Sequence, residues 1–305
     1  MTTRDYIEAR RREIDAALPA LLPRTPDCPP VLFEAMQYSL LGGGKRLRPI
    51  LCLASCEAVG GDRAVAMPTA CGLEMIHTYS LIHDDLPAMD NDTMRRGRPT
   101  LHVVAGEGQA ILAGDALLTH AFHLIAGEPW SRNLEFLMNK LEVIQLISSA
   151  AGAAGMVGGQ AIDLACVTPD AEGHLAPALD AEGLRGMHAR KTGALIRAAA
   201  TAGALLGGGN PPMVGAIDAA AAEFGLAFQI VDDILDVEGE SADLGKTAGK
   251  DAAAGKPTYP ALFGLDTSKR MAAECLARAE AALGAMNLAD SHLMGIGRWI
   301  IERKH

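Results

Sequence analysis

Aromatic residues make up only 4% of the 305-residue chain, and the Val/Ile/Thr/Tyr alternation that marks β-strands is almost absent. A core must therefore be built from Ala, Leu, Ile, Val and Met, within a hydrophobic share of 49%. Ala-rich runs such as Ala198-Ala199-Ala200 and Ala219 to Ala222 favour helix on propensity. The fold class read from this is all-α. Basic excess is also missing. A formal net charge of −10 excludes a nucleic-acid surface but leaves room for cations concentrated around one anion. The six cysteines form no CxxC pair and have no histidine at zinc spacing, which excludes a zinc module. Cys52 and Cys56, one helical turn apart, read as small buried hydrophobes in a reduced, cytoplasmic setting. The N-terminus lacks the apolar stretch of a signal peptide. No uncharged apolar run reaches the roughly 18 residues of a membrane span. The expectation is a soluble protein without a span.

Helical patterning runs over about 3–18, 32–42, 48–60, 65–84, 107–127, 132–154, 181–207, 212–236, 268–286 and 289–303. Pro/Gly-bearing breaks fall at 23–30, 86–100, 167–180 and 238–256. None is long or polar enough for an interdomain linker, and no repeat of fixed period appears. The expectation is a single helical domain over 1–305. Two of the breaks directly follow acidic clusters, the placement expected of loops that close over a ligand.

Those clusters say most about chemistry. The first reads Asp84-Asp85-Leu-Pro-Ala-Met-Asp90 and leads into Arg95-Arg96. The second reads Asp232-Asp233-Ile-Leu-Asp236, with Lys246, Lys250 and Lys256 downstream. Carboxylates gather against their mutual repulsion when a cation belongs between them. Oxygen-rich sites of this kind suit Mg²⁺, which takes one or two carboxylates and completes its shell with water and phosphate oxygens. Arg and Lys would hold the phosphate groups that the metals do not.

In the second cluster Asp232 and Asp236 are i and i+4 and share a helix face. Six residues of regular helix turn through about 600°, so Asp90 would sit off the face of Asp84. Pro87 resolves this by ending the helix, letting Asp90 swing back from the following turn. His77 lies two turns before Asp84 on its face. Gly42-Gly43-Gly44-Lys45-Arg46-Leu47-Arg48-Pro49 is a flexible turn whose Lys45 and Arg48 suit an anion. Lys191 lies stranded in an apolar helix and needs a partner. Gly158-Gly159-Gln160 with Asp163 fits either close helix packing or a cavity lining.

The segments GGGKRLRP, SLIHDDLPAMDND, RRGRPT, GGQAID, KTGALI, FQIVDDILD and LGKTAGKD resemble, in order and spacing, the trans-isoprenyl diphosphate synthases, and most of all their bacterial farnesyl type. The resemblance implies about ten helices around a deep cavity, usually in a homodimer, with the acid motifs facing each other across three Mg²⁺ ions. It implies metal ligation by Asp84, Asp85, Asp90 and Asp232, with Asp233 and Asp236 supporting. Arg95, Lys191, Thr192, Gln229, Lys246 and Lys256 would hold an allylic diphosphate. Lys45, Arg48, His77 and Arg96 would hold isopentenyl diphosphate. Ionisation, attack by the isopentenyl double bond and proton loss to pyrophosphate need no protein nucleophile, in keeping with the missing Ser/His/Asp or Cys/His set. Asn91-Asp92-Thr93-Met94 departs from the longer acidic run of many relatives and bears on the loop, not on the ligands.

In that family the residues four and five places before the first Asp help set tail-pocket depth; here they are Ser80 and Tyr79. Five helical residues span about 7.5 Å. Tyr79 there resembles the stop for a fifteen-carbon product, with an ordinary core Tyr as the alternative. The competing readings are a geranylgeranyl diphosphate synthase, a terpene cyclase and a non-catalytic partner subunit. The complete second acid motif, with Lys45 and Arg48, argues against the last two.

Overall fold

A computed structural model describes residues 1–24, 26–169, 172–174, 176–238 and 258–303. The chain starts with α1 (Thr3–Leu21), α2 (Pro30–Leu40), α3 (Leu47–Ala58) and α4 (Arg63–Asp84). A two-residue-per-strand hairpin follows, β1 (Met94–Arg95) antiparallel to β2 (Arg98–Pro99). Next come α5 (Leu101–Ala105), α6 (Glu107–Gly127), α7 (Leu134–Ala151), α8 (Met156–Val167) and α9 (Ala181–His188). A π turn over Ala189–Gly193 leads into α10 (Ala194–Leu206) and the long α11 (Pro211–Glu238). The C-terminal part holds α12 (Tyr259–Phe263), α13 (Leu265–Gly284) and α14 (His292–Glu302). The all-α class is as the sequence implies.

Helix ends follow local chemistry. The Asp62 side chain accepts from Ala64 N to cap α4, Asn133 caps α7 through Phe136 N, and Asp180 caps α9 through Gly183 N. Helix α4 stops at Asp84, before Pro87, as expected of that proline.

Helix α10 is the hub. Every residue from Ala198 to Leu206 is buried, so it is apolar all round, the mark of a central helix. Its small residues let neighbours come close. A Cβ on Gly203 would stand 1.9 Å from the Cys52 carbonyl oxygen of α3. The cysteines behave as the small hydrophobes expected: Cys52, Cys56 and Cys71 are fully buried, none of the six is in a disulfide, and burial pushes those three thiols up. A second, smaller apolar cluster joins Leu184, Met187, Ile230, Ile234, Tyr259 and Cys275, under the second acid motif.

Two expectations need correction. Residues 181–207 form two helices joined by a π turn, and 156–167 form a helix that Gly158-Gly159 concealed. The charge-based exclusion of a membrane span is also too strict. By length and composition, Glu107–Gly127, the stretch Leu134–Val167 that runs over α7 and α8, and Pro211–Glu238 are long and apolar enough to cross one, at mean hydropathies of 1.4, 1.4 and 1.5. Between 33% and 44% of each window is buried within the chain, so internal packing accounts for part of their apolar character.

Candidate active site

Four segments converge. The first is the end of α4. After Pro87 the chain turns back so that the Asp90 amide donates to the Asp84 carbonyl across 2.9 Å. The expected return of Asp90 is what the structure shows. Asp84 pays electrostatically for its place: burial pushes its carboxyl up to about 6, Lys191 opposing and Asp90 adding to the rise. A half-buried carboxylate destabilised in this way gains from a cation beside it. Asp85 is different. It is 4% exposed and accepts from Arg95, whose Nε lies 2.9 Å away. Arg95 also reaches Asp92 at 3.5 Å.

The second segment is the glycine turn before α3. Lys45 is exposed at its tip, whereas Arg48 is 9% exposed with a buried Nε that has no partner. Burial pulls Arg48 down to about 10, with Arg96 adding and Glu74 and Asp232 opposing. His77 is held neutral, well below its ordinary value, first by burial and then by Arg48, Arg96, Arg95 and Arg46. The hairpin latches onto this turn: Arg96, in the left-handed region at φ 53°, donates to the Gly43 carbonyl. A Cβ on Gly44 would collide with its guanidinium at 2.6 Å. Tyr38 OH donates to the Pro99 carbonyl at 2.8 Å and fixes the other end of the hairpin.

The third segment is the π turn, a device that re-aims side chains at functional sites. Lys191 Nζ lies 2.5 Å from Asp163 Oδ2 of α8, which is the partner its apolar setting demanded. Thr192 Oγ1 donates to Gln229 Oε1 at 3.1 Å. Gly159 is a packing residue, since its Cβ would stand 2.2 Å from the Lys191 amide nitrogen. Gln160 Oε1 is buried without a partner. Of the two readings left open by sequence, close helix packing is the one the structure shows.

The fourth segment is α11. Gln229 Nε2 donates to Asp233 Oδ1 at 3.0 Å, and Tyr259 N donates to Asp233 Oδ2 at 2.9 Å. Asp233 is 3% exposed and so anchors α12 to α11. Asp232 accepts from Arg303 at 2.6 Å. Asp236 lies one turn on, half-buried. Lys246, Lys250 and Lys256 lie outside the described residues.

Lys191 is near enough to oppose the rise of Asp84, and Asp232 near enough to oppose the fall of Arg48. Among the described residues no group of three His, Cys, Asp or Glu lies together at metal-ligating range. The reason is visible: Asp85 and Asp233 make protein contacts, and the two acid motifs stand on separate helices. The donors are carboxylates only. Such a set fits Mg²⁺ shared with phosphate oxygens, and it does not fit a metal caged by protein alone. Sequence reasoning missed Arg303, Glu74 and Asp163 as partners. For Asp163 a signal existed, a buried acid among small residues that matched a stranded lysine.

Comparison with known proteins gives the family. The "Polyprenyl synthetase" family profile matches residues 29–288. The chain belongs to the polyprenyl synthetase family. It is a trans-prenyltransferase of the isoprenyl diphosphate synthase type, in a family that uses isoprenyl diphosphates and is generally Mg²⁺-dependent. It is 42% identical to a farnesyl diphosphate synthase of Geobacillus stearothermophilus over 100% of this chain and 99% of that one. It is also 42% identical to a geranylgeranyl diphosphate synthase of Cyanophora paradoxa, over 98% and 96%. A crystal structure of an FPP/GFPP synthase from Zymomonas mobilis superposes at a TM-score of 0.84, with 37% identity over 98% of both chains.

Proposed function

We propose that this prenyltransferase condenses isopentenyl diphosphate with dimethylallyl and then geranyl diphosphate, stopping at farnesyl diphosphate. The observation that carries the length is Tyr79. It is 7% exposed on α4, five residues and about 7.5 Å of helix before Asp84, and it is close enough that Asp84 adds to the rise of its phenol. Its ring meets His83 edge-on at 5.6 Å. His83 in turn abuts Gly114 of α6, where a Cβ would stand 2.2 Å from Nε2. Tyr79 thus packs between α4 and the His83–Gly114 contact with α6. Ser80, whose hydroxyl donates to the His77 carbonyl at 2.9 Å, is small and leaves the stop to Tyr79. Tyr79→Ala should shift products to twenty carbons or more by chromatography; an unchanged profile removes Tyr79 from the account. The name of the Cyanophora relative favours a second reading, geranylgeranyl diphosphate as the product of the same chemistry.

In this reading Asp84, Asp90 and Asp232 hold Mg²⁺, up to three ions, with Asp85 and Asp233 keeping their neighbours in place and Asp236 supporting. When bound, the metal supplies the positive charge that stabilises departing pyrophosphate. Arg95, Lys191, Thr192 and Gln229 orient the allylic diphosphate, joined by Lys246 and Lys256. Lys45, Arg48, Arg96 and the donor nitrogen of neutral His77 hold the isopentenyl diphosphate. Exclusion of water from the allylic cation would let the double bond attack it first, with pyrophosphate taking the proton.

The proposal includes a homodimer. Leu134, Met138 and Leu141 of α7 are 77%, 65% and 61% exposed at i, i+4 and i+7. They form an outward apolar stripe, with Ile111 and Leu112 of α6 also exposed, a face suited to a second copy. Light scattering giving a monomer at micromolar concentration would remove it. A cytoplasmic location agrees with six cysteines outside disulfides, five of them buried.

A further inference from the structure

We propose that Arg46 and Glu74, with Asp15, form a fixed ionic anchor that positions Lys45 and Arg48 and so sets the affinity for the non-allylic diphosphate without touching it. This rests on the reading of the glycine turn given above.

Arg46 is at φ 51°, between Gly43 at 86°, Gly44 at 133° and the first turn of α3. Left-handed backbone in a long side chain persists only where the surroundings impose it, and such positions gather at ligand clamps. The surroundings here are explicit. The Arg46 side chain is 1% exposed and makes three charge-directed bonds: Nε to Asp15 Oδ1 at 2.9 Å, Nη1 to Glu74 Oε1 at 2.7 Å, and Nη2 to the Leu40 carbonyl at 2.9 Å. One guanidinium thus ties α1, α2 and α4 to the start of α3. Pulling Arg46 inward fixes the backbone that carries Lys45, one residue before it and exposed, and Arg48, two residues after it and buried with an unpartnered Nε.

Glu74 has a second effect. It is 1% exposed, on α4 one turn before His77. It is the acid that acts on Arg46, Arg48 and Arg96 alike, whereas Arg46, Arg95 and Arg96 repel one another or their neighbours. Asp85 and Asp232 each reach only the edge of the group, acting on Arg96 and Arg48 respectively. Glu74 therefore lets several arginines share one buried space before any anion arrives. A fork-shaped guanidinium is needed at position 46, since the point charge of a lysine cannot bond two carboxylates and a carbonyl in fixed directions.

The test varies each diphosphate separately in steady-state kinetics, with isopentenyl diphosphate binding to the metal-free protein measured by calorimetry. Glu74→Gln should raise KM and Kd for isopentenyl diphosphate about tenfold, the size of one charge-assisted contact, with KM for the allylic substrate and kcat changed less than about twofold. Asp15→Asn, on the half-exposed end of the anchor, should give the same split at about threefold and keeps the test alive if Glu74→Gln does not fold. Arg46→Met should lose more than Arg46→Lys. If both KM values rise together, or only the melting temperature falls, the anchor is merely structural and the proposal is overturned. Wild-type protein that binds isopentenyl diphosphate but makes no product would instead count against the proposed reaction.

Discussion

Arg303 donates to Asp232 Oδ1 across 2.6 Å, with its guanidinium 3.8 Å from the centre of the Phe228 ring and a second bond to the Phe228 carbonyl at 2.8 Å. A cation from the C-terminal end thus occupies an oxygen that the proposed metal would take.

Metal loading must displace or share that contact. Arg303→Gln is expected to lower the Mg²⁺ concentration for half-maximal turnover severalfold, about the worth of one hydrogen bond to a charged group. A metal titration followed by product release checks this. A requirement that rises would show that Arg303 helps to place the metal.

Asp84 gives a pH dependence to the metal-free protein. The folded chain holds its proton up to about pH 6, whereas an ordinary Asp releases it near 3.8. This side chain's contribution to stability is therefore fully present below 3.8 and is lost as pH rises through 6. Asp84→Asn should stabilise the chelated protein at pH 8 by about 1–3 kcal/mol and have no such effect below pH 4. Thermal melts at the two pH values in EDTA provide the comparison. Equal shifts at both would show that the strain is not electrostatic.

Two glycines separate stability from activity. Gly203→Ala presses a Cβ into α3 within the core, and it should cost about 1–3 kcal/mol with KM unchanged in the protein that remains folded. Gly159→Ala presses on the Lys191 backbone, so turnover should fall at least about tenfold because a displacement near 1 Å of a positioned group is costly. Melting curves and initial rates on both variants give the contrast.

What could be read from the sequence divides along physical lines. Interactions within one or two turns were legible. The i, i+4 pair Asp232 and Asp236, the helix stop at Pro87 and the return of Asp90 follow from local geometry, as do most helix positions. Helix α8 was not legible, because Gly158-Gly159 lowers helix propensity while serving a contact with the π turn that only the fold creates. The π turn itself hid inside a continuous helical pattern over 181–207. Pairs such as Arg46 with Glu74 and Arg303 with Asp232 lie 28 and 71 positions apart, beyond any local period. They explain why Arg46, which carries no motif role of its own, is the most firmly held cation of its turn.

The most direct measurement is product analysis of the purified chain alone, with Mg²⁺, isopentenyl diphosphate and dimethylallyl or geranyl diphosphate in turn. Farnesyl diphosphate should accumulate from both starters, and Asp232→Ala should slow its formation at least about a hundredfold. No condensation from either starter, or full activity in Asp232→Ala, would contradict two acid motifs acting on one diphosphate.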